Sequence, residues 1–277
     1  MSAGPATDTA PRTLEDPLAE ARRVVDLAEE RGLLVRLIGG MAIRAHAPQW
    51  LARTRRPEID LDFATRSKDR RGVYELLEAE GYTPDRRHNA LFGNKQAYFV
   101  DESRRRPVDV IVDRLEMAHS FDFADRLPRS RPTLPLAELL LSKLQVVKIN
   151  RKDVLDALAL LGEHPLGEDD GAADNDHGLG TINVPRVLEL TSSDWGWWRT
   201  VTMNLDRLDA FLRADLREGD LDLGNGRALL FDPAVQIAEL RRRIDAAPKS
   251  ARWKLRARVG DRMPWYAEPE EVSHQPD

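Results

Sequence analysis

Residues 35–63 read VRLIGGMAIRAHAPQWLARTRRPEIDLDF. The stretch opens on a short β-rich run that ends in Gly39-Gly40. A helix-like segment, MAIRAHAPQWLA, leaves the glycine pair and is interrupted near Pro48. EIDLDFA then alternates strictly between polar and apolar residues, the period of a half-buried strand. On such a strand Asp60 and Asp62 point the same way, with Cα atoms ~6.5 Å apart, and Leu61 and Phe63 point into the core. Farther on, PVDVIVD sets Asp109 on a second predicted strand.

Outward from this stretch, Asp16-Pro17 opens a helix with Leu18, Ala21, Val24, Val25 and Ala28 at helical spacing, and Gly32 stops it. RRGVYELLEAEGY is an amphipathic helix ending at Gly81. ALFGNKQAYFVDE and PVDVIVDRLEMA read as two antiparallel strands joined by the basic turn ESRRRP. PLAELLLSKLQVVKI and RKDVLDALALLGE are helical, with Asn150 placed to cap the second and Asp153 as its box-like partner. The order of elements predicts an α/β (α+β) domain with a small mixed sheet over residues 15–163. Residues 1–14 are rich in Ala, Pro and Thr and are expected to be disordered, as is the tail 269–277. Residues 164–180 form an acidic, Gly-rich linker. Its DDGAADND run lacks the spacing and the closing Glu of a calcium loop. Residues 181–268 are mostly helical, with Ser192 or Ser193 as a candidate N-cap, Asp232 capping a helix at Pro233, and a basic helix in KSARWKLRARVGDRM. The cluster SDWGWW fits the core of this helical part better than a platform for a nucleobase.

Composition narrows the classes. The 277 residues contain no cysteine, which removes disulfides, Cys-zinc sites and a Cys nucleophile. The 6 histidines are scattered without paired metal spacing. No stretch approaches the ~18 apolar residues of a membrane span, and the N-terminus lacks the basic start and apolar run of a signal peptide, so a cytoplasmic protein is expected. A net charge of −5 argues against bulk nucleic-acid binding, while RTRR, RRR and RLPRSR leave room for local basic patches.

Two like-charged carboxylates on one strand face repel and raise each other's pKa. A divalent cation reverses that logic, and a third carboxylate from a neighbouring strand completes an oxygen-rich half-shell. Asp60, Asp62 and Asp109 are therefore candidate ligands for Mg²⁺ or Mn²⁺. Gly39 and Gly40 let backbone N–H groups approach a triphosphate at a helix N-terminus. Lys143, in the apolar LLLSKLQVV, is either a snorkelling lysine or a counter-charge to pyrophosphate.

Gly39-Gly40, a helix, Asp60-Leu61-Asp62-Phe63 and then Asp109 together resemble the DNA polymerase β-type nucleotidyltransferase superfamily. SKLQVVKINRKDVLDALAL resembles the helical pair of AbiEii-type nucleotidyltransferase toxins of bacterial toxin–antitoxin and phage-defence systems. The resemblance spans about residues 35–162. It implies NTP as co-substrate, Asp60, Asp62 and Asp109 as catalytic metal ligands, and Lys143 as the lysine that contacts the triphosphate. Arg151, Lys152, Asp153 and Asp156 match the element that follows, with Asp153 on the nucleotide side. It further implies a tRNA 3′ end or a protein as acceptor, and an antitoxin partner. Met41 and the long basic gap before Asp60 depart from the family pattern. Alternatives are an antibiotic-type adenylyltransferase, a metal-dependent nuclease, and a non-catalytic nucleotide-binding module on the same fold.

Overall fold

Asp16 accepts a hydrogen bond from the Ala19 amide and Pro17 occupies the first turn, so α1 runs Pro17–Glu30 with its apolar stripe buried. Gly32 takes φ +70, a conformation cheap only for glycine, and turns the chain into β1, Val35–Ile38. This computed structural model describes residues 12–47, 60–171, 180–215 and 229–268. The expected break at Pro48, the helix beyond it, the RTRR patch, the strand before Asp60, the centre of the acidic linker and the C-terminal tail lie outside the described residues. Residues 12–14 are held in place: Thr13 is buried, and Arg106 donates to the Leu14 and Glu15 carbonyls.

Helix α2, Gly39–His46, starts directly on the glycine pair. β2 is Leu61–Thr65, α3 is Arg70–Ala79 and β3 is Thr83–Pro84. A short helix absent from the sequence reading, α4, Arg86–Phe92, follows because Asp85 caps the His88 amide at 2.8 Å. β4, Gln96–Asp101, and β5, Arg106–Val112, form the expected antiparallel pair across the basic turn. The sheet order is β1-β2-β5-β4-β3, with β2 and β5 parallel and the other neighbours antiparallel, a mixed sheet in an α/β chain as anticipated. Leu37, Phe63, Val108, Val110, Ala97 and Phe99 fill one face and are buried. Asp62, Asp109, Gln96 and Tyr98 share the other.

A small hairpin, β6 (Arg114–Glu116) and β7 (Ser120–Asp122), leads to α5, Leu136–Leu144, in which all nine residues are buried. The expected helix ran on to Ile149, but α5 stops at Leu144. The Asn204 carboxamide takes the Leu144 and Val146 carbonyls at 2.7 and 2.9 Å, closing off the helical ladder there. α6, Arg151–Glu163, has the predicted cap: Asn150 accepts from the Asp153 amide and donates to the Asp153 carboxylate, each at 2.9 Å. Two-residue strands β8 (Leu166–Gly167) and β9 (Ile182–Asn183) pair across the ends of the acidic segment.

Asn183 caps α7, Val184–Ser193, and Asp194 caps α8, Trp195–Ala210. Ser192 and Ser193 therefore end α7 rather than cap a helix, and the Ser193 hydroxyl donates back to Glu189 O. Asp232 caps α9, Pro233–Ala246, as expected, and α10 is Ala251–Ala257. Trp195 and Trp197 are buried, Trp197 lying 5.0 Å from the His119 ring and 5.6 Å from Phe121. Val187, Val201, Leu205 and Leu240 join one apolar cluster with the sheet residues and α5. Among the described residues no helix is long and apolar enough to cross a membrane.

Candidate active site

The parallel register of β2 and β5 sets Asp62 opposite Asp109. Asp60 stands one residue before β2 and is exposed. On the other side of β2, Ile38 pairs with Asp62, so the chain enters Gly39 beside that carboxylate. Gly39 has φ +68, and a Cβ built there would stand 1.9 Å from Asp62 Oδ2. Only glycine admits both that backbone and that contact. Asp62 thus lies against the first turn of α2, whose amide ends favour negative charge.

Two side chains beyond those expected complete this face. Gln96 Nε2 donates to Asp109 Oδ1 at 2.7 Å. Tyr98 pairs with Asp109 across β4 and β5, and its ring meets His88 of α4 at 4.1 Å. Strand alternation in QAYF put Gln96 and Tyr98 on one side, but nothing local in the sequence told which side faced the carboxylates.

Burial pushes Asp62 up to about 7, with the negative charges of Asp109 and Asp60 adding to it and Lys143 and Lys152 opposing. Burial likewise pushes Asp109 up to about 6; the Gln96 hydrogen bond works against this and Asp60 adds to it. Burial and the two carboxylates push the Tyr98 hydroxyl to about 12, so it is a neutral donor near pH 7.

Lys143 joins α5 to α6. Its Nζ sits 2.9 Å from Asp153 Oδ1 and 2.8 Å from Asp156 Oδ2. Burial disfavours its charge, but Asp156 and Asp153 outweigh that and hold the ammonium above its ordinary value. Asp156 is 1% exposed and faces Lys143. Asp153, whose amide donates to the capping Asn150, also holds Lys143. Lys152 is exposed on the first turn of α6.

Among the described residues no three His, Asp or Glu side chains converge on one point as they stand. Asp62 and Asp109 are side by side, with oxygen-only donors that a hard divalent cation favours and a mutual repulsion that it would relieve. Asp62 and Asp109 could hold a hard divalent cation such as Mg²⁺ or Mn²⁺, and Asp60 is the carboxylate next to them in the chain.

No family model matches the chain, and no curated protein matches it. A solved structure, the STING-associated CdnE c-di-GMP synthase from Capnocytophaga granulosa, superposes with 14% identity over 88% of this chain and 82% of that one, at a TM-score of 0.28. That TM-score is too low for a common fold to follow from it.

Proposed function

We propose that the chain is a metal-dependent nucleotidyltransferase that moves a nucleoside monophosphate from an NTP to an acceptor hydroxyl. One observation carries the reading: Asp62 and Asp109 are neighbours on parallel strands, with Asp62 packed on a left-handed glycine that starts a helix. A triphosphate meets the backbone amides of that first turn, and the paired carboxylates stand at its α-phosphate. A divalent ion there would lower the charge on the transferring phosphoryl group and on the leaving pyrophosphate. The acceptor hydroxyl gives up its proton to water as its oxygen bonds to the α-phosphorus, the bond from the α-phosphorus to the bridging oxygen breaks, and pyrophosphate leaves with that electron pair. Asp109, its Oδ1 held by Gln96, keeps one fixed orientation while this happens. The acceptors that the sequence resemblance favours are a tRNA 3′ end and a protein.

The test is incubation of the purified protein with each α-³²P-labelled NTP, Mg²⁺ and total bacterial tRNA, beside Asp60→Ala and Asp62→Ala. Label on tRNA from wild type alone establishes transfer to RNA and names the NTP. Label on the protein itself points to protein nucleotidylation. Equal labelling by the Asp62→Ala variant would sink the metal-carboxylate reading.

A further inference from the structure

Five of the six tryptophans fall within residues 195–265. Trp197 packs inward on His119 and Phe121, whereas Trp195 meets Trp265, with ring centroids 6.2 Å apart. Tyr266 adds a third ring, 5.3 Å from Trp265. Named bonds return the chain after α10 to this place. Arg256 donates to the Gly260 and Met263 carbonyls at 2.7 and 2.8 Å, and its guanidinium lies 4.7 Å from the Trp195 ring centroid. Trp265 Nε1 donates to Thr200 Oγ1 at 3.1 Å, and the Ala267 amide donates to the Ala118 carbonyl at 3.0 Å. Gly196, in the first turn of α8, admits the returning backbone: a Cβ built there would stand 2.6 Å from the Trp265 carbonyl oxygen.

These contacts shape a cavity of about 610 Å³ between the first turn of α8, α10 and residues 264–267. Ligand sites commonly measure ~300–1,000 Å³. Trp195 is buried at its base, and Trp265 and Tyr266 are half-buried along its side. α10 presents Arg252, Leu255 and Arg256 to it, at the i, i+3 and i+4 spacing of one helix face. Leu255 is 65% exposed.

The charge around the rings is mostly positive. Arg252 and Arg256 line the cavity, and the Arg199 guanidinium lies 5.6 Å from the Trp265 ring centroid. Two aspartates face them. Asp194 Oδ1 accepts from the Gly196 and Trp197 amides, and its Oδ2 is 3.7 Å from Arg252. Asp261 takes Arg199 in a two-pronged pair at 3.1 Å. Over residues 249–262 the sequence has six Lys or Arg and a single acidic residue, in a chain whose net charge is −5. Flat rings beside excess cations match a polymer of aromatic bases joined by phosphates. Stacking needs a base whose face is free, so a single strand fits and a duplex does not.

We propose that this cleft binds single-stranded nucleic acid, with a base stacked on Trp265 and Tyr266 and the adjoining phosphate on Arg252. The Arg252 side chain is 84% exposed, and turning from a carboxylate at 3.7 Å to a phosphate costs it little. Arg256 is a positioning residue that holds the turn after α10 against Trp195. The site belongs to the C-terminal helices and does not depend on nucleotidyl transfer.

The experiment is equilibrium binding to the full chain, by fluorescence anisotropy in EDTA without NTP, of labelled oligouridine RNA, oligothymidine DNA and a double-stranded RNA of the same length. It compares wild type, Arg252→Glu, Tyr266→Ala and Tyr266→Phe, with urea unfolding of each. The expected result is single-strand binding at least tenfold tighter than duplex binding, weakened by added salt. The tighter of the two single strands names the natural one. Arg252→Glu and Tyr266→Ala are each expected to raise Kd about tenfold at an unchanged unfolding midpoint, and Tyr266→Phe to bind as wild type does. Wild-type affinity in either Arg252→Glu or Tyr266→Ala overturns the assignment, and so does a duplex bound as tightly as a single strand. Binding to phosphatidylserine vesicles but to neither strand overturns it in favour of a lipid surface. With no NTP or metal present, each of these outcomes leaves the nucleotidyltransferase reading where it stands.

Discussion

Gly39 is the residue at which backbone and chemistry meet. Any side chain there takes a left-handed conformation at a cost of about 1–2 kcal/mol. It also displaces Asp62, whose Oδ2 would lie 1.9 Å from the new Cβ. Gly39→Ala is expected to lower nucleotidyl transfer by about two orders of magnitude or more, because a carboxylate displaced by even ~1 Å loses its alignment; the measurement is kcat with saturating NTP. Asp62 supports a second prediction. Its folded pKa is raised to about 7 and that of Asp109 to about 6, so the folded state favours the protonated carboxyls. Their stabilising contribution is complete below the unfolded value of about 4 and is lost as pH rises toward 7. Urea unfolding of metal-free wild type should therefore weaken from pH 4 to 7 relative to Asp62→Asn, and millimolar Mg²⁺ should close the gap. A gap independent of both pH and Mg²⁺ would count against the site.

At the scale of elements, the decisive contact is the clamp between α5 and α6. Lys143 lies near the end of one helix, and Asp153 and Asp156 in the first turns of the next. Replacing Lys143 with Met removes the ammonium that faces Asp153 and the buried Asp156, and is expected to cost about 3–5 kcal/mol in urea unfolding at pH 7. Much of this level was open to reading from local signals. α6 begins at Arg151 because Asn150 and Asp153 cap each other, and that spacing is visible in NRKD. α4 was not visible: its seven residues show no clear apolar period, and it is secured by Asp85 and by Asn89, whose side chain bonds the backbone of Tyr98 in both directions. α5 ended five residues early because of a partner sixty residues away, which no local period encodes.

The molecule as a whole depends on that distant partner. Asn204 of α8 is buried and ties the end of α5 to the C-terminal helices through two carbonyls. Arg207 of the same helix adds a bond to the Val147 carbonyl. These bonds anchor the loop between α5 and α6. Asn204→Ala leaves the Leu144 and Val146 carbonyls without their donor and is expected to destabilise by about 1–3 kcal/mol, read as a lower urea midpoint with unchanged slope. A change confined to the C-terminal helices, with the sheet unfolding at its old midpoint, would show that the two parts do not fold as one unit.

Local chemistry in the sequence determined a great deal. The alternation in IDLDF, the glycine pair after VRLI, the Asp16-Pro17, Asn150 and Asp232-Pro233 helix starts, and the antiparallel pair around ESRRRP all act within a few residues, so one window of sequence contains both partners. Asp62 and Asp109 could be nominated because each stands on its own strand pattern. The tertiary structure alone decided that these strands are parallel neighbours in register, that Asp60 stays outside the strand, that Gln96 and Tyr98 face the carboxylates, and that Lys143 is held by Asp153 and Asp156. Those facts depend on strand register and on how α5 and α6 sit against each other. Both are set by packing between residues far apart in the chain, where a shift of one position turns a side chain to the opposite face.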